Sequence, residues 1–421
     1  MKKVAILGYG GRGYLYAKIC KQMKHDYEVV AVIDNSQDKL NLAEKMSNLN
    51  SSQLFSSLDD FLNTPKIAEW LFICTQDKEH KEHAIKALKK GYHLLLEKPV
   101  ACTPEDCVEI ERTANEFNRK VAVCHVLRYS LYYEKIKEIM DSGVLGKIIA
   151  IDQVENVAYW HQAHSYVRGD WRRTDESTPM IISKCCHDLD IAVYLADSKC
   201  KQVTSQGQLS FFRKENAPEG ATEFCLGGCK AKDTCPYDCE KLYVAPLKHM
   251  PKKAIQGIWP QSRLMSDSIV TIPKLYEAMK TTRYGKCVFL SDNDVVDYQV
   301  TTMLFENGIN STLTMTAFSG PSYRETRIRG TLGELVCNMG NNKIELYIFG
   351  KKKKRIRLKN RMDAHGGGDK RLMEYLAKDN LKTDISLSIE SHLIGFAAEK
   401  SRLNNSKPIF LQEMREEYLK Q

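Results

Sequence analysis

The stretch SKCCHDLD, Ser183 to Asp190, sets a lysine, a histidine and two aspartates inside a segment, TPMIISKCCHDLDIAVYLAD, whose other residues suit a buried helix. Burying charges without partners is costly, so each of these groups needs a neighbour or a task. On one continuous helix Lys184 and His187, three apart, share a face, and Asp190 lies close enough to reach it. An imidazole titrates near neutrality and can take a hydroxyl proton. Asp188 or Asp190 could then hold the ring in one tautomer and stabilise the cation. A core histidine beside a paired lysine and carboxylate has the same pattern, and the helix alone does not choose between them.

A second chemical stretch opens the chain. KVAILG reads as a short apolar strand, and GYGGRG follows it at once, with Gly8, Gly10 and Gly13 in G-x-G-x-x-G spacing around Gly11 and Arg12. The first glycine permits a tight turn, the second lets phosphates approach the backbone, and the third allows close helix–strand packing. A pyrophosphate would sit at the helix N-terminus, where free N–H groups and the dipole favour an anion. The next strand, EVVAVID, ends at Asp34, where an acid grips the ribose hydroxyls of NAD and repels the 2′-phosphate of NADP. Strand, loop, helix, strand and acid in that order predict a dinucleotide site that prefers NAD.

Strands and helices go on alternating through EWLFICT, a helix near 78–90, YHLLLE, the capped helix TPEDCVEIERTANEF and KVAVCH. Such alternation predicts a doubly wound parallel sheet over residues 1–124, a Rossmann domain with its ligand at the C-terminal strand ends. Thr75, Gln76, Glu97 and Lys98 fall on that edge. Pro99 biases Lys98 away from the α region, and a lysine held there could donate to a substrate hydroxyl or to the nicotinamide ribose; a surface lysine in a strand-end loop is the plainer alternative. From 125 to 421 the pattern becomes an α+β domain with an open, mostly antiparallel sheet, marked by hairpins such as the Asn307-Gly308 turn. An insert at about 214–290 interrupts it, and helices follow residue 365.

With those residues in view, the chain resembles the Gfo/Idh/MocA family, named for glucose–fructose oxidoreductase, inositol dehydrogenase and a rhizopine-catabolism protein. The resemblance rests on the glycine loop, Asp34, Glu97-Lys98-Pro99, HVLRY near 125, the helix with His187, IRGTLGEL near 330 and SHLIGFAAEKSR. It implies that Lys98 orients and polarises a substrate hydroxyl, that His187 is the proton-transfer residue, and that the second sheet makes homodimer or homotetramer contacts. Family members commonly carry an aspartate four positions before the histidine. Ser183 stands there instead, so Lys184 is a candidate to take over its role.

Further candidates for substrate contacts lie in YWHQAHSYVRGDWR, where Trp160, His164, Arg168 and Trp171 combine flat rings with donors, as polyhydroxylated ligands require; a tight loop of stacked aromatics would look the same. Arg128 and Asp190 could also face the cleft, and His365 in AHGGGD is equally open. Cys225, Cys229, Cys235 and Cys239 are spaced C-x3-C-x5-C-x3-C, short enough to surround one metal, with zinc the default in a reducing cytosol. Reduced thiols or a disulfide in a surface loop would also account for them.

Composition sets the outer limits. No apolar run is long enough to span a membrane. A formal charge of +9 is modest evidence for steering anions and weak evidence for nucleic acid. The basic run from Lys351 to Lys359 reads as a lysine-guarded edge strand. Fourteen cysteines behind an N-terminus that reads as a nucleotide loop point to the cytoplasm. The expected activity is NAD-dependent hydride transfer at a secondary alcohol of a sugar, sugar derivative or cyclitol. A glycosidase or lyase that oxidises a sugar transiently is the alternative, and a catalytically inactive dinucleotide-binding regulator is a further one.

Overall fold

A computed structural model describes residues 1–248, 250, 258–265, 270–358 and 365–419. Six strands, β1 (Lys2–Leu7), β2 (Tyr27–Ile33), β3 (Leu54–Phe55), β4 (Trp70–Ile73), β5 (His93–Leu96) and β6 (Val121–Val123), form a parallel sheet in the order β3-β2-β1-β4-β5-β6. This is the doubly wound arrangement whose order reverses between β1 and β4, the place where such sheets bind ligands. Both faces are covered, which explains why WLFI in β4 is apolar throughout and fully buried.

Nine strands form the second sheet: β7 (Ile148–Ala158), β8 (Cys200–Gln208), β9 (Tyr298–Phe305), β10 (Asn310–Ser319), β11 (Tyr323–Gly330), β12 (Gly333–Asn338), β13 (Lys343–Ile348), β14 (Lys354–Arg357) and β15 (Ile409–Phe410). Their order is β14-β13-β12-β11-β7-β10-β9-β8-β15. Every neighbouring pair is antiparallel except β7 with β10. Gly308, at φ +87°, makes the turn from β9 into β10. The basic run up to Leu358 supplies an edge, since among the described residues β14 pairs only with β13; Lys359 lies outside the described residues.

Two helices join the layers. Ile385–Leu403 lies on the second sheet and approaches Ile182 so closely that a Cβ at Gly395 would stand 2.3 Å from the Ile182 side chain. Gly368–Ala377 crosses back to the first sheet, where Leu372, Met373 and Leu376 share a core with Val4, Ile6, Trp70 and Phe72. Between β8 and β9 the chain makes a long excursion, as the insert predicts, with its own apolar core around Phe212, Tyr237, Tyr243, Leu275 and Met279.

Candidate active site

The glycine loop turns at the C-terminal end of β1. Gly8 has φ +85°, and a Cβ there would stand 2.8 Å from the Cys74 carbonyl; at Gly13 it would stand 2.1 Å from the Gly8 carbonyl. Strand and helix therefore pack closer than any side chain allows. Gly10 and Gly11 differ, because a Cβ on either meets nothing within 4 Å. That open space over a helix N-terminus fits a pyrophosphate. Asp34 sits beside it, accepting the Tyr9 amide at 2.7 Å and the Ser36 amide at 2.9 Å, with Lys39 Nζ at 3.4 Å. Thr75, its hydroxyl 3.0 Å from His83 Nδ1, and Gln76, which opens the turn after β4, lie on the same edge.

Arg12 departs from expectation. Its side chain turns away from the loop's open space, donating to Glu97 at 2.5 Å, to the Tyr16 hydroxyl at 2.6 Å and to Asp369 at 2.6 Å. Burial raises the Glu97 carboxyl, but Arg12 outweighs it and the net shift is downward. Glu97 thus serves as an internal partner of Arg12. Asp369 had no place in the sequence reading; the i, i+4 spacing in HGGGD was its only trace, and His365 Nδ1 lies 2.8 Å from it.

The helix around SKCCHDLD is broken. Met180–Ser183 and Cys186–Ala196 are separate helices, with Lys184 and Cys185 at the joint. Lys184 and His187 consequently do not lie on one continuous helix, so the i, i+3 spacing no longer places them together. Lys184 pairs with Glu155 on β7 at 2.7 Å, and Glu155 lies 3.0 Å from Arg324 on β11, which holds Asp188 at 2.7 Å. Asp190, fully buried, binds Arg128 at 2.7 Å, so these two expected substrate groups are committed to each other. Neither aspartate holds His187.

His187 lies among other rings, 5.9 Å from His125 and 5.5 Å from His365, and among the described residues its Nδ1 has no hydrogen-bond partner. Burial drives its pKa well below the usual histidine value, and Lys98, His365 and His125 push the same way. It is a neutral imidazole whose Nδ1 is unpaired among the described residues. Lys98 Nζ, from the end of β5, donates at 2.9 Å to the carbonyl of Ser183, just before the helix that carries His187. His125, its Nδ1 3.6 Å from Asp190, is likewise held neutral, chiefly by burial.

The aromatic segment divides. Trp160 stacks on His161 and meets Trp259 with ring centres 5.4 Å apart. His161 has its pKa depressed by burial and by nearby Lys184, His164 and Lys98. Trp160 packs against the excursion's core, and His164 is buried in the same region, stacked on Tyr284 at 5.1 Å and pushed down to about 3 by burial. Trp171 donates to Asp77 at 2.9 Å. Arg168 joins the cysteine region, donating to the carbonyls of Lys286 and Tyr237 at 2.7 and 2.9 Å. The spacing of polar and aromatic residues in this stretch reflects packing more than ligand contact.

In the excursion, Cys225, Asp238 and Cys239 bring their ligand atoms within 4.8 Å of one another, and Cys229 and Cys235 line the cavity that Cys225 faces. All fourteen cysteines are free thiols.

Residues 2–125 match a family described as oxidoreductases with an NAD-binding Rossmann fold, and residues 133–229 match the GFO/IDH/MocA C-terminal domain. YteT of Bacillus subtilis (strain 168), named as an oxidoreductase, is 24% identical over 443 residues, covering 98% of this chain and 99% of its own. D-glucoside 3-dehydrogenase of Escherichia coli (strain K12) is 31% identical over 147 residues, covering 35% of this chain and 41% of its own. Among solved structures, levoglucosan dehydrogenase in complex with NADH superposes with a TM-score of 0.68 at 14% identity, covering 97% of this chain and 98% of that one.

Proposed function

We propose, for a chain that belongs to the Gfo/Idh/MocA oxidoreductase family, that it oxidises a secondary alcohol of a sugar, sugar derivative or cyclitol with NAD. The observation that carries this reading is the neutral His187 imidazole near Lys98, its Nδ1 without a partner among the described residues, across the sheet edge from the glycine loop. Similarity to D-glucoside 3-dehydrogenase supports a carbohydrate substrate.

NAD, when bound, supplies the hydride acceptor. Gly8, Gly10 and Gly13 with the N-terminus of the first helix would hold its pyrophosphate, and Asp34 its adenosine ribose. Lys98 donates to the oxygen of the reacting hydroxyl and favours its ionised form. His187 Nδ1 accepts that proton, a step worth roughly 10²–10⁴ in rate. The resulting imidazolium is disfavoured beside Lys98, so the proton moves on. His365, anchored by Asp369, stands next to it as the acceptor. Trp160 and His161 offer an apolar face and a donor for a pyranose or cyclitol ring. Fourteen free thiols fit a reducing, cytoplasmic setting, and a homodimer or homotetramer would cover the open face of the second sheet. Among the described residues no helix is long and apolar enough to cross a membrane.

The test is a screen of free sugars and cyclitols with added NAD, read as NADH formation, on wild type and His187→Ala. Turnover in wild type that disappears in a variant with normal NAD affinity is the expected result. Loss of NAD binding in the variant would make His187 structural and the assigned site wrong. Released NAD near one per chain with no NADH formed would favour the recycled-cofactor glycosidase or lyase instead.

A further inference from the structure

Arg168 is 1% exposed and holds a permanent charge. Its Nε and Nη2 donate to two backbone carbonyls, Nη2 also reaches Cys225 Sγ at 3.5 Å, and among the described residues Nη1 has no partner. Among the described residues no carboxylate pairs with it. An uncompensated charge in such a place costs several kcal/mol, so an anion belongs nearby. The cavity that Arg168 lines brings together four thiols, Cys225, Cys229, Cys235 and Cys287, with Lys232 and Asp238 as its other charged groups. Cys239 Sγ lies within 4.8 Å of Cys225 Sγ.

We propose that Cys225, Cys229, Cys235 and Cys239 bind one zinc ion as thiolates, with Arg168 as the buried donor that offsets the charge of the site. Binding replaces four S–H protons, released to solvent, by one Zn²⁺, leaving a zinc–tetrathiolate of charge −2 that Arg168 halves. The backbone is prepared for it. Cys225 donates its amide to the Gly285 carbonyl at 2.9 Å, and Cys287 donates to Glu223 at 2.8 Å, which pins the start of the loop. Gly228, at φ +85°, turns the chain so that Cys229 returns. Asp238 caps the short helix that begins at Cys239, its Oδ1 accepting the amides of Glu240 and Lys241 at 3.0 and 3.2 Å. Arg168 caps the segment that follows Trp160 and His161, so the metal would hold that segment at its C-terminal end.

The experiment is metal analysis of the full-length protein after gel filtration in zinc-containing medium, followed by titration with a mercurial in the presence of a zinc-sensitive dye. About one zinc per chain, released as about four thiols react, is expected. Cys229→Ser and Cys239→Ser should each lower bound zinc at least tenfold, while Cys287→Ser and Asp238→Asn keep it. Arg168→Gln should weaken zinc roughly 10–100-fold in chelator competition, as loss of an outer-shell partner does. Wild-type protein that carries no zinc and reacts fully with a thiol reagent, that holds iron and sulfide, or that shows a Cys225–Cys239 disulfide would overturn the proposal. Zinc retained by both serine variants, or lost in Asp238→Asn, would overturn the ligand set. The wild-type measurement decides the matter even if a variant fails to fold, and none of these readouts depends on NAD.

Discussion

Gly10→Ala and Gly13→Ala separate the cofactor's needs from the fold's. Gly10 has φ −74° and ψ −160°, which alanine adopts freely, and its Cβ would meet nothing within 4 Å. As the residue before the first helix, its replacement should change stability by no more than about 1 kcal/mol. The new methyl would occupy the space assigned to the pyrophosphate. Pushing that group off two backbone N–H donors, at about 1.5 kcal/mol each for a charged acceptor, amounts to about 3 kcal/mol, or roughly a 100-fold weaker Kd. Gly13→Ala should behave in the opposite sense. Its Cβ would stand 2.1 Å from the Gly8 carbonyl and 3.2 Å from Ile6, so helix and strand must part, at about 3 kcal/mol of stability. Urea unfolding without NAD measures the first quantity and calorimetric NAD titration the second. A Gly10→Ala protein that is stable and binds NAD like wild type would refute the placement of the cofactor.

Asp34→Ala should weaken NAD about tenfold and narrow its margin over NADP, because the acid beside the ribose is what rejects a 2′-phosphate; an unchanged preference in paired titrations would contradict that assignment. Lys184→Met should cost about 3 kcal/mol by leaving buried Glu155 short of a cation, with kcat per folded molecule unchanged. Normal stability with turnover lost would return Lys184 to the chemistry. His392 is held neutral at about 3, chiefly by burial, its Nε2 taking the Val100 amide at 2.9 Å. Its folded pKa lies below the unfolded value of about 6.5, so its contribution is complete above that value and is lost as pH falls toward 3. Between pH 8 and 5 this is about 2 kcal/mol, and the stability gap between wild type and His392→Asn should shrink by that amount in urea titrations. A constant gap would refute it.

What could be read from the chain was local. Gly8, Gly10, Gly13 and Asp34 are recognisable because a turn, a helix start and a strand end fit within thirty-odd residues, and the alternating strands and helices that follow obey the same short-range rules. The errors arose where partners are distant. Lys184 finds Glu155, Asp188 finds Arg324 and Arg12 finds Asp369, contacts that no helical periodicity encodes. The break at Lys184 and Cys185 is also invisible to periodicity, since the apolar pattern runs through it while the helical hydrogen bonding is interrupted. Arg168 and His164 looked like ligand groups because a buried cation and a buried ring leave the same trace in sequence as a binding site.

The helix Gly368–Ala377 has a bearing on how the protein is made. Val4, Ile6, Trp70 and Phe72 leave the ribosome well before Leu372, Met373 and Leu376, which complete their core. Until then one side of the first sheet is left partly uncovered, and Arg12 has no Asp369 to meet. A nascent chain cannot finish its nucleotide-binding half first and move on, as N-terminal domains ordinarily do. The strands of the first sheet wait for this much later helix, and a chain stalled in between carries an open apolar surface that chaperones must cover.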